Sequence, residues 1–82
     1  MIQRLKDLLP QREPAWVETG QVVAEAAQRM ADRNVGAVLV MERGALRGIF
    51  SERDIMTRVV ARGMDPLTTV VDRVMSTDLT TI

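Results

Sequence analysis

Residues 48–56 read GIFSERDIM, and this stretch decides how the fold is assembled. An apolar, strand-like segment breaks into four polar residues and then resumes with Ile55 and Met56. Ser51 is a favoured helix N-cap, because its hydroxyl accepts a hydrogen bond from an unpaired backbone N–H of the first turn. Glu52 and Asp54 would lie in that first turn, where acidic side chains complement the helix dipole. The stretch therefore predicts that a strand ends and a helix begins at Ser51.

The residues before this junction predict a β-hairpin. Residues 36–41 (GAVLVM) form a continuous apolar run, which is typical of a strand covered on both faces. Residues 42–44 contain a glycine and two charged residues and predict a turn, and residues 46–50 form the second strand. Gly48 lies inside that second strand, where a glycine often marks the close approach of another backbone or of a ligand.

Three further segments complete the predicted repeat of strand, helix, strand, strand and helix. Residues 15–17 (AWV) predict a short strand, and residues 21–33 predict a helix that ends at Asn34, a residue that tolerates left-handed backbone. A second helix is expected from Ser51 or Glu52 to about Arg62. Its apolar residues are expected on one face, and they are Ile55, Met56, Val59 and Val60. A short helical turn follows at residues 70–75.

The two ends of the chain predict additional elements. Residues 2–9 (IQRLKDLL) have apolar residues at helical spacing, so residues 1–14 are interpreted as a helix and a connector. Residues 15–76 form the repeat itself. Residues 80–82 resemble the opening of another strand. Residues 77–82 are therefore interpreted as a linker and the first strand of a second, absent repeat.

The composition excludes several classes of function. The 82 residues include no cysteine and no histidine, which removes thiolate metal sites and the commonest general base, and an enzyme is not expected. Eleven basic residues balance eleven acidic ones, so no electrostatic footprint for a nucleic-acid polymer is present. No apolar run is long enough to span a membrane. We expect a cytoplasmic chain that gains stability from a partner chain, because domains this short bury a modest core.

The sequence resembles the CBS domain family, named for cystathionine β-synthase. The resemblance is carried by VAEAAQRMADRNVGAVLVMERGALRGIFSERDIMTRVV and, downstream, by VVDRVMST. It covers residues 15–82, and GIFSERD is similar to small stand-alone bacterial proteins built from two such repeats. The resemblance implies an α+β fold in which helices cover one face of a three-stranded sheet. It also implies a regulatory, homodimeric module that binds AMP, ATP, NAD(H) or a similar adenosine compound and carries no catalytic cofactor or metal.

The resemblance also assigns candidate ligand contacts. The G-x-x-S-x-x-D pattern assigns Ser51 to the phosphate and Asp54 to the ribose hydroxyls. The spacing of three residues places both side chains on one face of the first turn, and a carboxylate can accept hydrogen bonds from two adjacent hydroxyls. Arg53 is a weaker candidate for the phosphate, because its position points it elsewhere around the helix.

Further contacts are expected from backbone groups near Val17 and Ala37, which would read the adenine, and from Thr19. The family often has Ser or Thr at the position of Val22, so one side-chain contact is absent from this chain.

Two alternatives stay open at this point. Ser51 and Asp54 form a helix cap and nothing more, or they bind a ligand as well. The chain as a whole is a nucleotide-binding regulatory module, or it is an association module without a ligand. Trp16 is expected to pack in a core or an interface.

Overall fold

The fold is known from a computed structural model, which describes residues 14–78. The helix expected at residues 2–9 and the strand expected at residues 80–82 lie outside this range. Within it, the strands are β1 (Trp16–Glu18), β2 (Ala37–Glu42) and β3 (Ala45–Ser51). The helix α1 (Val23–Arg33) connects β1 to β2, and β3 leads directly into the single turn α2 (Glu52–Asp54). A π-helix (Ile55–Val60) continues α2, and a 3₁₀-helix (Val71–Arg73) follows.

The strands form one sheet in the order β1-β2-β3. β1 is parallel to β2, with Val17 opposite Val40, whereas β2 and β3 form an antiparallel hairpin. Arg43 and Gly44 at the hairpin turn both have positive φ, at 51° and 82°, as a type I′ turn requires. The predicted hairpin is confirmed, and so is the α+β fold class.

The core lies on one face of the sheet. Val17, Val38, Val40 and Phe50 point into it from the strands. The helices and connecting segments supply the remaining buried apolar residues, which are Ala15, Val23, Ala26, Met30, Val59, Val71 and Val74. On the opposite face Trp16 is 44% exposed, and Leu39 and Met41 are only half-buried. Residues 14–78 therefore bury β2 fully on one face only, and not on both as expected.

The helix α1 begins and ends through backbone contacts. At its C-terminus Asn34 adopts the predicted left-handed conformation, with φ of 56° and ψ of 49°. At its N-terminus no side chain caps the helix, because the N-cap residue is Val22. The carbonyl oxygens of Thr69 and Pro66 accept hydrogen bonds from Val23 N and Ala24 N instead, at 2.8 and 2.9 Å. This contact fixes the loop after the π-helix against the start of α1.

The second helix differs from the prediction. Only α2 is α-helical, and the following turn has hydrogen bonds from residue i+5, such as Ala61 N to Met56 O at 2.9 Å. A π-helical turn is wider than an α-helical turn, so the α-helical period does not describe which side chains face the core. Val59 is buried and Ile55 packs against the core, but Met56 and Val60 are 58% and 68% exposed. The expectation that these four residues share one face of a helix is therefore wrong.

Gly48 lies where another backbone approaches β3. Ile49 exchanges two hydrogen bonds with Ser76, of 2.9 and 2.8 Å. A Cβ atom on Gly48 would lie 2.9 Å from the carbonyl oxygen of Ser76 and 2.7 Å from Sδ of Met75. The predicted close approach is confirmed, and the approaching group is the protein's own backbone.

Candidate functional site

The hairpin brings the start of β2 next to the end of β3. Ala37 is paired with Ser51, and the N–H of Glu52 donates a hydrogen bond of 2.9 Å to the carbonyl oxygen of Gly36. The backbone of Gly36 and Ala37 therefore lies beside the junction of β3 and α2. We call this part of the molecule, comprising Gly36, Ala37, Ser51, Glu52 and Asp54, the junction site.

Ser51 and Asp54 are joined by three hydrogen bonds. The backbone N–H and the hydroxyl of Ser51 both lie within hydrogen-bond distance of Oδ2 of Asp54, at 3.0 and 3.1 Å. The N–H of Asp54 donates to the Ser51 hydroxyl oxygen at 3.2 Å. These contacts form a capping box, which satisfies N–H groups that the helix leaves unpaired. The cap expected from the sequence is confirmed.

The Asp54 side chain has a second partner one turn later. Its Oδ1 atom lies 3.6 Å from Nε of Arg58, and the Asp54 side chain is 14% exposed. Each carboxylate oxygen accepts two hydrogen bonds, so Asp54 retains acceptor capacity beyond the cap. A ligand hydroxyl at this carboxylate would share it with Ser51 and Arg58.

Arg53 lies between Ser51 and Asp54 in the sequence, and its side chain is exposed. Its carbonyl oxygen accepts a hydrogen bond from the Thr57 hydroxyl at 2.9 Å. Within residues 14–78 its guanidinium has no ion pair. Arg53 thus lies next to the junction site with a free charge.

Val17 and Thr19 lie far from this group along the sheet. Val17 is paired with Val40, and its side chain is buried in the core. The N–H of Thr19 donates to the carbonyl oxygen of Met41 at 2.9 Å. Met41 is four residues along β2 from Ala37, which corresponds to about 13 Å. The structure brings together Ser51, Asp54 and Ala37, and it does not bring Val17 and Thr19 to them.

Two residues of the junction site were not singled out as candidates from the sequence. Gly36 and Glu52 are in contact, since a Cβ atom on Gly36 would lie 2.9 Å from Oε2 of Glu52. The signal in the sequence is the glycine directly before the valine-rich strand. Glu52 adds an exposed carboxylate to the same end of the sheet.

The open face of the sheet contains an apolar cleft of about 320 Å³, which we call the sheet cleft. It is lined by Pro14, Trp16, Glu18, Leu39, Met41 and Gly44. Trp16 and Leu39 are paired across β1 and β2, so their side chains lie on the same face. Ser51 and Asp54 are not among its lining residues.

Residues 14–78 contain neither a metal-binding cluster nor a membrane-spanning helix. No cluster of three or more aspartate or glutamate side chains there could hold a metal ion. Among residues 14–78, no helix has the length and apolar character needed to cross a bilayer.

The comparison with family models decides the family. The model of the CBS domain matches residues 5–61, which is more than half of the chain. The chain belongs to the CBS domain family. The predicted resemblance is confirmed, including the similarity to small CBS proteins of bacteria.

Curated CBS-domain proteins are similar to most of the chain. The CBS domain-containing protein YhcV of Bacillus subtilis is 46% identical over 65 residues, which cover 79% of this chain and 46% of YhcV. The meiotically up-regulated gene 70 protein of Schizosaccharomyces pombe is 48% identical over 64 residues, which cover 78% of this chain and 9% of that protein. The chain thus spans less than half the length of either relative.

Solved CBS structures have the same fold. A CBS-domain-containing protein from Agrobacterium tumefaciens superposes with a TM-score of 0.75 at 32% identity, covering 89% of this chain and 61% of that one. A protein from Burkholderia ambifaria, described as a signal-transduction protein with CBS domains, gives a TM-score of 0.80 at 27% identity. That match covers 92% of this chain and 57% of the other. CBS domain proteins of this kind are typically regulatory rather than catalytic.

Proposed function

We propose that this CBS domain is a regulatory module that binds an adenosine-containing nucleotide, of the AMP, ATP or NAD(H) class, at the junction site. The observation that carries the proposal is the pairing of Ala37 with Ser51, by which the exposed residue Ala37 lies beside a hydroxyl and a carboxylate. Asp54 would accept hydrogen bonds from the ribose hydroxyls, and Ser51 would donate to a phosphate oxygen. Ala37 would offer backbone groups to the adenine, and Arg53 would supply positive charge nearby.

The proposal is confined to residues that the fold brings together. A nucleoside held by Asp54 would have to extend along the length of β2 to reach Thr19, since about 13 Å separate the two ends. Val17, whose backbone was expected to contact the adenine, is paired with Val40, which lies three residues along β2 from Ala37, or about 10 Å. These two residues are therefore left out of the proposed site.

Replacement of Asp54 by alanine should abolish nucleotide binding. Two charge-assisted hydrogen bonds to the ribose would be lost, so we expect the dissociation constant to rise at least about a hundredfold. The measurement is isothermal titration calorimetry with AMP, ATP and NADH on the complete protein. The variant also loses the helix cap, which lowers stability by about 0.5–2 kcal/mol, and the titration should therefore be run well below its melting temperature.

The matched control is Asp32→Ala, which removes an exposed carboxylate on α1 that contacts only Gln28 among the described residues. It should bind nucleotides like the unmodified protein. Asp54→Asn keeps an acceptor for the cap and removes the charge, so it separates the loss of binding from the loss of the cap. Wild-type protein that binds no adenosine compound, or Asp54→Ala that binds as well as wild type, would contradict the proposal.

A homodimer is the second part of the proposal, and the sheet cleft supports it. An apolar sheet face with a tryptophan 44% exposed is costly to leave in water, and such faces are typical of association sites. Two chains that pack these faces together would supply the two repeats of one module. The apolar face equally supports the alternative function, an association module without a ligand. A second observation favours that alternative, because Ser51 and Asp54 already hydrogen-bond to each other in the helix cap.

Trp16→Glu should convert the dimer into a monomer. The substitution places a charge in an apolar interface, where an unpaired carboxylate would have to lose its hydration. Sedimentation velocity measures the outcome. The control is Leu67→Glu, which makes a similar change at a loop residue that is 71% exposed and lies outside the sheet cleft. A wild-type protein that sediments as a monomer would rule out the dimer, and nucleotide binding that survives in monomeric Trp16→Glu would show that the junction site is complete in one chain.

A further inference from the structure

A second cleft lies on the side of the molecule where the π-helix meets the 3₁₀-helix. Its volume is about 350 Å³, and its lining residues are Arg58, Arg62, Met64, Arg73 and Val74. We call it the arginine cleft. Of the five lining residues in the described part of the chain, three carry a positive charge and none carries a negative one. Its size is at the small end of the range for ligand sites in proteins.

The charges in this cleft are largely unpaired. Arg58 lies 3.6 Å from Asp54, and this is the only ion pair that any of the three arginines makes with residues 14–78. Asp72 precedes Arg73 in sequence, but its carboxylate accepts a hydrogen bond from Gly20 N at 2.8 Å. The chain as a whole has a net charge of zero, so the accumulation of cations here is a local feature.

Arg58 is held in a fixed orientation at the cleft. Its Nη1 group donates to the carbonyl oxygens of Met75 and Val74, at 3.1 and 3.4 Å. With Nε directed at Asp54, the Nη2 group has no partner among the described residues. A guanidinium carries five N–H donors in a rigid, planar arrangement, so two donors of Arg58 are left for a ligand. The side chain is preorganised, so less rotamer freedom would be lost when an anion binds than for an arginine that moves freely in solvent.

We propose that the arginine cleft binds a small oxyanion of the phosphate class that carries at least two negative charges. Guanidinium groups bind phosphate oxygens through paired, charge-assisted hydrogen bonds, and three of them converge on one small cleft. The cleft is separate from the junction site, since Ser51 and Asp54 do not line it. Arg58 lines the arginine cleft and also lies 3.6 Å from Asp54 of the junction site.

The anion could be a free oligophosphate or the phosphate end of a nucleotide. Calorimetric titrations with pyrophosphate, with AMP and with adenosine distinguish these sources, each at matched ionic strength set by sodium chloride. Pyrophosphate that binds independently of adenosine indicates a free anion. Binding of AMP that requires both Asp54 and Arg62 indicates the phosphate end of a nucleotide.

The test uses Arg62→Gln and Arg73→Gln, singly and together, with pyrophosphate as the probe. We expect each single variant to weaken pyrophosphate binding about tenfold, because each removes one charge from the cleft. The matched control is Arg43→Gln, which neutralises an exposed arginine in the hairpin turn and should leave pyrophosphate binding unchanged. Amide chemical shifts in a pyrophosphate titration should move at Arg73 and Val74 and not at Arg43.

The opposing explanation is that Arg62 only complements the carbonyl end of the preceding helical turns. In that case Arg62→Gln lowers the melting temperature, and pyrophosphate changes neither the melting temperature nor the chemical shifts more than sodium chloride does. That result would overturn the proposal. Loss of pyrophosphate binding in Arg43→Gln to the same extent would also overturn it, because the effect would then follow the net charge. Neither result changes what is expected of nucleotide binding in Asp54→Ala. Failure of the proposal for the arginine cleft can therefore be distinguished from failure of the proposed nucleotide binding at the junction site.

Discussion

Phe50→Ala should remove a large part of the folding stability of the chain. Phe50 is the chain's single phenylalanine, it is fully buried, and it lies in the part of the core where β3 meets the helices. Truncation of a buried phenylalanine costs about 3–5 kcal/mol, because contacts are lost and a cavity remains. A domain of this size has a total stability of about 4–12 kcal/mol. The substitution removes a large fraction of that stability.

Urea titration followed by circular dichroism measures this effect. The matched control is Leu46→Ala on the same strand, where the side chain is 45% exposed and truncation should cost less than about 1 kcal/mol. Comparable urea midpoints for the two variants would mean that Phe50 does not lie at the centre of the core. Thermal unfolding should give the same order, with Phe50→Ala unfolding at a much lower temperature than Leu46→Ala.

The local elements of this fold could be predicted because their signals are local. The left-handed conformation at Asn34 and the positive φ at Gly44 are both properties of residue types that tolerate such backbone. The cap at Ser51 needs only the residues from Ser51 to Asp54. The order and type of most elements could be predicted from such local signals. The same signals led to the correct family.

The long-range contacts could not be predicted in the same way. The start of α1 is capped by Thr69 O and Pro66 O, which lie more than forty residues further along the chain. The π-helix likewise departs from the α-helical period, which predicts that Met56 and Val60 lie on the same face as Val59. Both features depend on how the segment after β3 folds back over the sheet.

The candidate sites show the same difference between local signals, which the sequence reveals, and long-range contacts, which it does not. The pattern of Ser51 and Asp54 was visible in one short motif, whereas the contact between Gly36 and Glu52 required the hairpin register. The arginine cleft was the least visible. Arg58 and Arg73 are fifteen residues apart in the sequence, and only the fold brings them to one cleft. Residues that converge from separate elements give no periodic signal in the sequence.

Gly48→Ala should destabilise the protein by about 2–4 kcal/mol. This cost is the sum of overpacking and of weakened hydrogen bonds between β3 and Ser76. The added methyl group would lie 2.9 Å from the carbonyl oxygen of Ser76, a backbone atom that is itself held by Ile49. The segment from Met75 onward would therefore have to move away from β3.

Gly36→Ala is a matched control for this substitution, since it adds the same methyl group. There the nearest atom is Oε2 of the exposed Glu52 side chain, which can rotate away. Gly36→Ala should therefore shift the melting temperature little, and reduced entropy of the unfolded chain would favour a small increase. Gly48→Ala should lower it strongly and should increase hydrogen exchange at the amides of Ile49 and Ser76. Both substitutions add one methyl group, and only the one at Gly48 meets a backbone atom at its nearest contacts. Equal melting temperatures for the two variants would therefore show that the contact between β3 and Ser76 contributes little to stability.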